Sequence, residues 1–147
     1  MKLSTKSRYG LRAMVDMAVN STGEHMTLSD IAERQDVSTG YLEHIFSTLK
    51  KAGLVNSVKG AQGGYMLADS PSNITVGIVL RVLEGDLSIV DKDNEKVKYN
   101  DLHDFLYKNI WYKVNENINL TVDTITLEDM VNRYKLIRGN TGDMYYI

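Results

Sequence analysis

The stretch that decides the fold is residues 38–67, which reads STGYLEHIFSTLKKAGLVNSVKGAQGGYML. Ser38 can cap the start of a helix here, and Gly53 follows its end. The first half has the i, i+3, i+4, i+7 apolar spacing of an amphipathic helix, at Leu42, Ile45, Phe46 and Leu49. The second half changes period, because two short runs flank a glycine-rich turn at 59–64, and this predicts a β-hairpin.

Two helices are predicted before this stretch. The first begins after Ser4 or Thr5 and ends near Asn20, with its apolar stripe at Leu11, Met14, Val15 and Ala18. The second begins after its N-cap, Thr27, and ends before Ser38. The order helix, helix, tight turn, helix, hairpin is that of a winged helix-turn-helix, in which the third helix enters the major groove of DNA.

The second half of the chain is also mostly helical. Thr75 can cap a fourth helix that is apolar nearly all round and is therefore predicted to be buried. A polar, acidic loop is predicted at 85–98, a long helix at about 100–117, a last helix after Thr126, and a tail at 138–147. The long helix has a broad apolar arc, formed by Leu102, Phe105, Leu106, Ile110, Trp111, Val114 and Ile118. The pattern fits a subunit interface or a single intramolecular core equally well.

These elements predict a mainly α protein with a small β-hairpin wing. Residues 1–84 are expected to form a winged helix-turn-helix domain that binds DNA. Residues 85–147 are expected to supply the loop, a dimerisation helix and the C-terminal tail.

Composition limits the possible functions. The formal net charge of −2 hides an asymmetry: residues 1–66 carry eight basic and six acidic side chains, and residues 67–147 carry nine and thirteen. The basic first half favours a polyanionic partner, although a solvated surface also explains the charge. The absence of cysteine excludes disulfides, thiolate catalysis and thiolate-held metal. No paired nucleophile and base, membrane span or leader is visible, so we expect a cytoplasmic protein that is not an enzyme.

The predicted third helix and the hairpin carry the candidate DNA contacts. Ser38, Thr39 and Tyr41 offer hydroxyls, and Glu43 can accept a hydrogen bond from cytosine N4. His44 points away from the apolar face of the same helix. At the hairpin tip Lys59 and Gln62 lie among glycines, which would let the backbone approach a narrow groove.

Three segments resemble the Rrf2 (Rrf-two) family of bacterial transcriptional regulators: STKSRYGL at 4–11, YLE at 41–43, and AGLVNSVKGAQGGY at 52–65. Pieces of the second half, VLEG at 82–85, Trp111, TLED at 126–129 and MYYI at 144–147, are similar to the branch that represses cysteine metabolism. The resemblance implies a homodimer that binds a palindromic operator in double-stranded DNA and represses genes, with the long helix as dimer interface.

The resemblance also implies which residues contact DNA. By motif they are Lys2, Ser4, Thr5, Arg8, Tyr9, Ser38, Thr39, Tyr41, Glu43, His44, Lys59, Gln62 and Gly63. Lys59 stands where the family often has arginine, so reading of the minor groove is expected to be weaker.

Two expectations concern sensing. Cluster-binding members hold iron and sulfur through three cysteines, which this chain lacks, and His103 is expected to be a solvated residue, so no metal or cofactor is predicted. In the cysteine branch the partner is the enzyme O-acetylserine thiol-lyase (cysteine synthase). The tail residues Tyr145, Tyr146 and Ile147 are expected either to dock on that enzyme or to pack back on the dimer. A winged helix that binds a partner enzyme instead of DNA is the alternative function.

Overall fold

The computed structural model describes residues 2–90 and 101–145, with side chains up to Gly139. Its elements, in chain order, are α1 (Thr5–Asn20), α2 (Leu28–Gln35), α3 (Thr39–Lys51), β1 (Val55–Val58), β2 (Gly64–Leu67), a 3₁₀ turn (Pro71–Asn73), α4 (Val76–Glu84), α5 (Asp101–Leu106), a π-helical turn (Tyr107–Trp111), α6 (Tyr112–Thr124) and α7 (Leu127–Tyr145). The predicted mainly α fold with a small hairpin wing is confirmed. No helix in these ranges is long and apolar enough to cross a bilayer.

Side-chain caps start five of the helices where the sequence predicts them. In each case a hydroxyl accepts a 3.1 Å hydrogen bond from the backbone N–H three residues on, at Ser4, Thr27, Ser38, Thr75 and Thr126. Such caps satisfy backbone donors that have no partner within the helix. The helix starts therefore follow from local chemistry alone.

The main core joins α1, α2, α3 and β1 with the first turns of α7. Phe46, Met14 and Ile31 are fully buried in it, and Leu127 and Val131 of α7 lie in the same cluster. Backbone hydrogen bonds add to this contact, because Leu127 N donates to Ile74 O at 2.9 Å. The start of α7 is therefore part of the core of the N-terminal winged helix.

The long helix, which we define as α5, the π-helical turn and α6, extends further than predicted. It ends at Thr124 and not near Asn117. Ile118 and Val122 pack against Val76 and Leu80 of α4 in a second cluster. This burial stabilises an asparagine-rich segment whose helix propensity is weak, and so the sequence pattern placed the end too early.

Two other expectations are corrected. The segment 138–147 was predicted as a tail, but α7 continues to Tyr145, since Gly139 does not adopt the positive φ that would end a helix there. Helix α4 was predicted to be buried all round, but Ile78 is 38% exposed. Helices α1, α3 and α6 pack against α4, and Ile78 lies on the part of its surface that they leave open.

Candidate nucleic-acid interface

Helix α3 separates its residues into two faces. Leu42, Ile45, Phe46 and Leu49 are at most 1% exposed. Glu43, His44 and Ser47 are exposed on the opposite side, and Ser38 and Thr39 are exposed at its N-terminal end. This polar end with hydroxyl, carboxylate and imidazole groups is what a recognition helix presents to base edges and phosphates.

Glu84 holds the N-terminal end of α1 in place. Its carboxylate accepts hydrogen bonds from Ser4 Oγ at 2.6 Å, from Ser4 N at 3.2 Å and from Ser7 Oγ. These hydrogen bonds, that from Ser4 first, lower the pKa of Glu84 below its ordinary value. The Ser4 hydroxyl thus donates its hydrogen bond to Glu84, so Ser4 has a structural role besides its predicted contact with DNA.

An aromatic contact connects α1 to the start of α3. The rings of Tyr9 and Tyr41 meet edge to face with centroids 6.1 Å apart. The guanidinium carbon of Arg12 lies 4.3 Å from the centroid of the Tyr9 ring. The three side chains therefore form one row that ends at the recognition helix, and both tyrosines are half-buried.

The wing is fixed to the α1–α2 connection. Met26 and Tyr65 exchange two backbone hydrogen bonds of 2.8 Å, and the His25 ring contacts the backbone oxygen of Gln62. A Cβ on Gly64 would lie 2.2 Å from Met26 O, and a Cβ on Gly63 would lie 2.2 Å from Val58 O. These two glycines are therefore required by packing inside the protein, whatever their part in approaching DNA.

The predicted DNA contacts lie on three elements. Ten of the thirteen are exposed, and Tyr9, Tyr41 and Gly63 are half-buried. The exposed ones are Lys2, Ser4, Thr5, Arg8, Ser38, Thr39, Glu43, His44, Lys59 and Gln62. Tyr9 on α1 contacts Tyr41 on α3, whereas Lys59 and Gln62 are on the wing.

The long helix exposes its predicted dimerisation face over its first half. Leu102 is 64% exposed and Phe105 59%, and Leu106, Ile110 and Trp111 are 36–41% exposed. Val114 is half-buried, and Ile118 packs on its own protomer. Contiguous exposed apolar side chains of this kind mark an interaction surface.

Polar contacts that the sequence reasoning missed hold the long helix against α4. Arg81 donates to Asp123 Oδ1 at 2.5 Å and to Asn119 at 2.8 Å. Asn115 is buried and accepts a 2.8 Å hydrogen bond from Ile89 N, which fixes the segment after α4. The contact between Asn115 and Ile89 could have been suspected from the sequence only because an asparagine lies there inside an otherwise amphipathic helix.

The residues present do not fit a thiolate-held metal centre. The whole chain has no cysteine. Among the side chains described, in residues 2–90 and 101–139, no three of His, Asp or Glu are grouped so that they could hold an ion. His103, which is expected from the sequence to be solvated, is half-buried at the start of the long helix. Of the predicted tail site, Tyr146 and Ile147 lie outside the described residues, and Tyr145 is described by its backbone alone.

Comparisons with known proteins agree with this geometry. Residues 3–133 match the family described as "Rrf2: Iron-dependent Transcriptional regulator". The HTH-type transcriptional regulator CymR of Bacillus subtilis is 38% identical over 134 residues, which is 90% of this chain and 91% of that protein. IscR of Pectobacterium carotovorum is 36% identical over 93% of this chain and 83% of its own length.

Solved structures are similar as well. The structure of CymR, called the global cysteine regulator of B. subtilis, superposes with a TM-score of 0.77 at 36% identity, over 90% of this chain and 98% of that one. IscR of T. potens superposes with a TM-score of 0.73 at 43% identity, over 91% and 88%. The resemblance stated from sequence motifs is confirmed over almost the full length of the chain.

Proposed function

The chain belongs to the Rrf2 family of DNA-binding transcriptional regulators, and from that premise we propose that it is a homodimeric repressor of a palindromic operator. The members of this family are regulators and not enzymes. The observation that carries the proposal is the exposed polar end of α3 beside the wing. A regulator of bacterial genes works where the chromosome lies, in the cytoplasm.

We assign the reading of bases in the operator to α3. The elements on either side of it, α1 and the wing, position the protein on the DNA. Glu43 accepts from a cytosine N4 donor, and the hydroxyls of Ser38 and Thr39 contact phosphates. Arg8 on α1 and Lys59 on the wing add charge on either side of α3. Charge of this kind supplies affinity that does not depend on sequence and that falls as salt rises.

Dimerisation is assigned to the first half of the long helix. A lone protomer would expose Leu102 and Phe105 to water, whereas a second copy related by twofold symmetry would cover both at once. Two recognition helices related in this way bind half-sites about one helical turn apart. A palindromic operator therefore follows from the symmetry of the dimer.

Glu43→Ala tests base reading. An operator is first selected from genomic fragments, and binding is measured to a series of its single-base variants. The Glu43→Ala protein should lose about 1–3 kcal/mol of discrimination between bases at one position of each half-site, while the salt slope of binding stays the same. Lys59→Gln is the matched control, and it should lower the salt slope by about 1 with base preference unchanged at the position that Glu43 reads. An unchanged preference for Glu43→Ala would mean that Glu43 does not read bases. Absence of any specific DNA binding would favour the alternative of a winged helix that binds protein.

Regulated genes and a partner enzyme are proposed from the likeness to CymR. Its description as a global cysteine regulator supports genes of cysteine and sulfur metabolism as targets, without an iron–sulfur cluster in this chain. O-acetylserine thiol-lyase is the proposed partner, bound through Tyr145, Tyr146 and Ile147. Deletion of Tyr146 and Ile147 should abolish binding of that enzyme in a pull-down and leave operator binding unchanged. Retained enzyme binding would contradict tail docking.

A further inference from the structure

A groove lies between α1, the end of α2 and α7, and of its lining residues only Arg8 has a part in the function proposed above. Two adjoining cavities of about 430 and 460 Å³ form it, and Asp16, Val19 and Tyr134 line both. Volumes of this order are typical of small-molecule sites. We propose that this groove binds a small organic acid that has an apolar body.

The floor of the groove is apolar. Leu11, Val15 and Val19 lie four residues apart on one face of α1, and each remains half-buried. Tyr134 of α7 forms the opposite wall and is 46% exposed. A hydrocarbon or aromatic body seated here would remove these side chains from water, which favours binding.

The rim of the groove is strongly basic. Among the described lining residues, Arg8, Arg12, Arg34, Lys135 and Arg138 are basic, and Asp16 is the one acid. Arg34 already compensates the charge of that acid through a 2.7 Å ion pair. Four positive charges therefore remain around the floor, and they favour a ligand that carries negative charge.

Two of these cations are held in place by aromatic rings. The guanidinium carbon of Arg12 is 4.3 Å from the Tyr9 ring centroid, and that of Arg138 is 5.9 Å from the Tyr134 ring centroid. Stacked guanidiniums lose less conformational entropy when they bind a carboxylate than mobile ones do. Both groups are thus positioned at the rim before a ligand arrives.

The combination of rim and floor selects the ligand class. Inorganic phosphate would satisfy the rim and leave the apolar floor wet. An uncharged apolar compound would cover the floor and desolvate the cations without a counter-charge. The phosphates of a DNA backbone would likewise satisfy the rim and leave the apolar floor wet. An organic acid satisfies both parts.

An organic acid bound in the groove would also affect DNA binding. This part of the proposal rests on the proposed function. Arg8 lines the groove and is one of the predicted DNA contacts. Arg12 touches the Tyr9 ring, whose edge-to-face partner Tyr41 stands at the start of α3. A bound anion would neutralise positive charge next to the DNA surface, so we expect it to weaken operator binding.

Binding is tested first on the full-length protein without DNA. Saturation-transfer NMR at constant ionic strength compares phenylacetate and hexanoate with their primary amides and with inorganic phosphate. At least one acid should bind saturably with one site per protomer, at least tenfold more tightly than its amide, and phosphate should not compete. Absence of saturable binding by both acids, or equal binding of acid and amide, would show the proposal to be wrong.

Variants locate the site. Arg12→Gln with Arg138→Gln, and separately Tyr134→Ala, should each weaken acid binding at least tenfold. All three residues keep solvent contact, so these proteins should fold, and circular dichroism checks this. Arg133→Gln is the matched control on α7 outside the groove and should bind as the unchanged protein does. If the variants bind the acid normally, the site is not this groove.

The effect on DNA is measured last. Saturating acid should weaken operator binding at least threefold in the unchanged protein and not in the double arginine variant. If the acid binds and operator affinity stays the same, the predicted effect on DNA binding is wrong, and the binding site in the groove still stands. A protein that binds the acid and no DNA would overturn the proposed function and leave the groove assignment standing.

Discussion

At the scale of single residues, Glu84 connects the N-terminal end of α1 to the last turn of α4. Its hydrogen bonds to Ser4 and Ser7 lower its pKa in the folded state. A group with a lowered folded pKa stabilises the fold above its unfolded pKa, about 4.3, and loses that contribution as pH falls through the folded value. The contact is therefore intact at neutral pH.

Glu84→Gln tests this contact. The variant should show a lower melting temperature than the unchanged protein at pH 7, and the two should converge as pH falls below about 4. Operator binding should also weaken, since the N-terminal end of α1 is less well fixed. A constant difference in melting temperature between pH 7 and pH 3 would show that the charge of Glu84 is not involved.

Asp16 is a second residue whose buried side chain depends on polar partners from another helix, α2. Its side chain is 2% exposed and accepts hydrogen bonds from Arg34 and Gln35. The hydrogen bond from Arg34 to Asp16 raises the pKa of the guanidinium, so this arginine stays charged. An unpaired charge at this depth destabilises a fold.

Arg34→Met should lower the free energy of unfolding by about 2 kcal/mol, less than the ~3–5 kcal/mol of a fully buried pair, because Arg34 is 38% exposed. Methionine keeps the apolar stem of the side chain, so the loss of stability reflects the loss of the positive charge. Urea denaturation measures the free energy of unfolding. The control Arg133→Met, on the exposed side of α7, should change stability by less than about 0.5 kcal/mol.

At the scale of elements, the wing depends on close backbone contact with the segment before α2. Gly64 has no room for a Cβ, because Met26 O would lie 2.2 Å away. Its neighbour Tyr65 makes both hydrogen bonds to Met26. The orientation of the wing thus comes from a third backbone segment that adds to the hairpin.

Gly64→Ala should displace the wing and weaken operator binding by about tenfold, or about 1.4 kcal/mol, with the helical content unchanged. Fluorescence anisotropy with labelled operator measures the affinity. Ala61→Ser, at the exposed tip of the wing, is the control and should bind normally. Normal binding by Gly64→Ala would mean that the wing contributes nothing to affinity.

At the scale of the whole molecule, the exposed first half of the long helix is the proposed dimer interface. Phe105→Asp places a charge in the predicted interface and should convert the dimer to a monomer in light scattering. Operator affinity should fall by at least about 100-fold, because the two half-sites are no longer bound together. Leu136→Asp, equally exposed on α7, should stay dimeric. A dimeric Phe105→Asp would exclude this face as the interface.

The sequence by itself determined the winged helix-turn-helix. Caps such as Ser38 and Thr75 and the apolar stripe of α3 are local patterns, and a helix start depends only on the few residues around it. The same locality explains why the candidate contacts Glu43, Lys59 and Gln62 could be selected from the chain alone.

Only the tertiary structure decided how distant segments meet. Glu84 contacts Ser4 across 80 residues, Met26 pairs with Tyr65, and the start of α7 packs in the same core as α1, α2 and α3. No local spacing encodes such contacts, since they arise when buried faces pack together. The end of the long helix was misplaced for the same reason, because burial of Ile118 and Val122 outweighs the weak helix propensity of the asparagines around them.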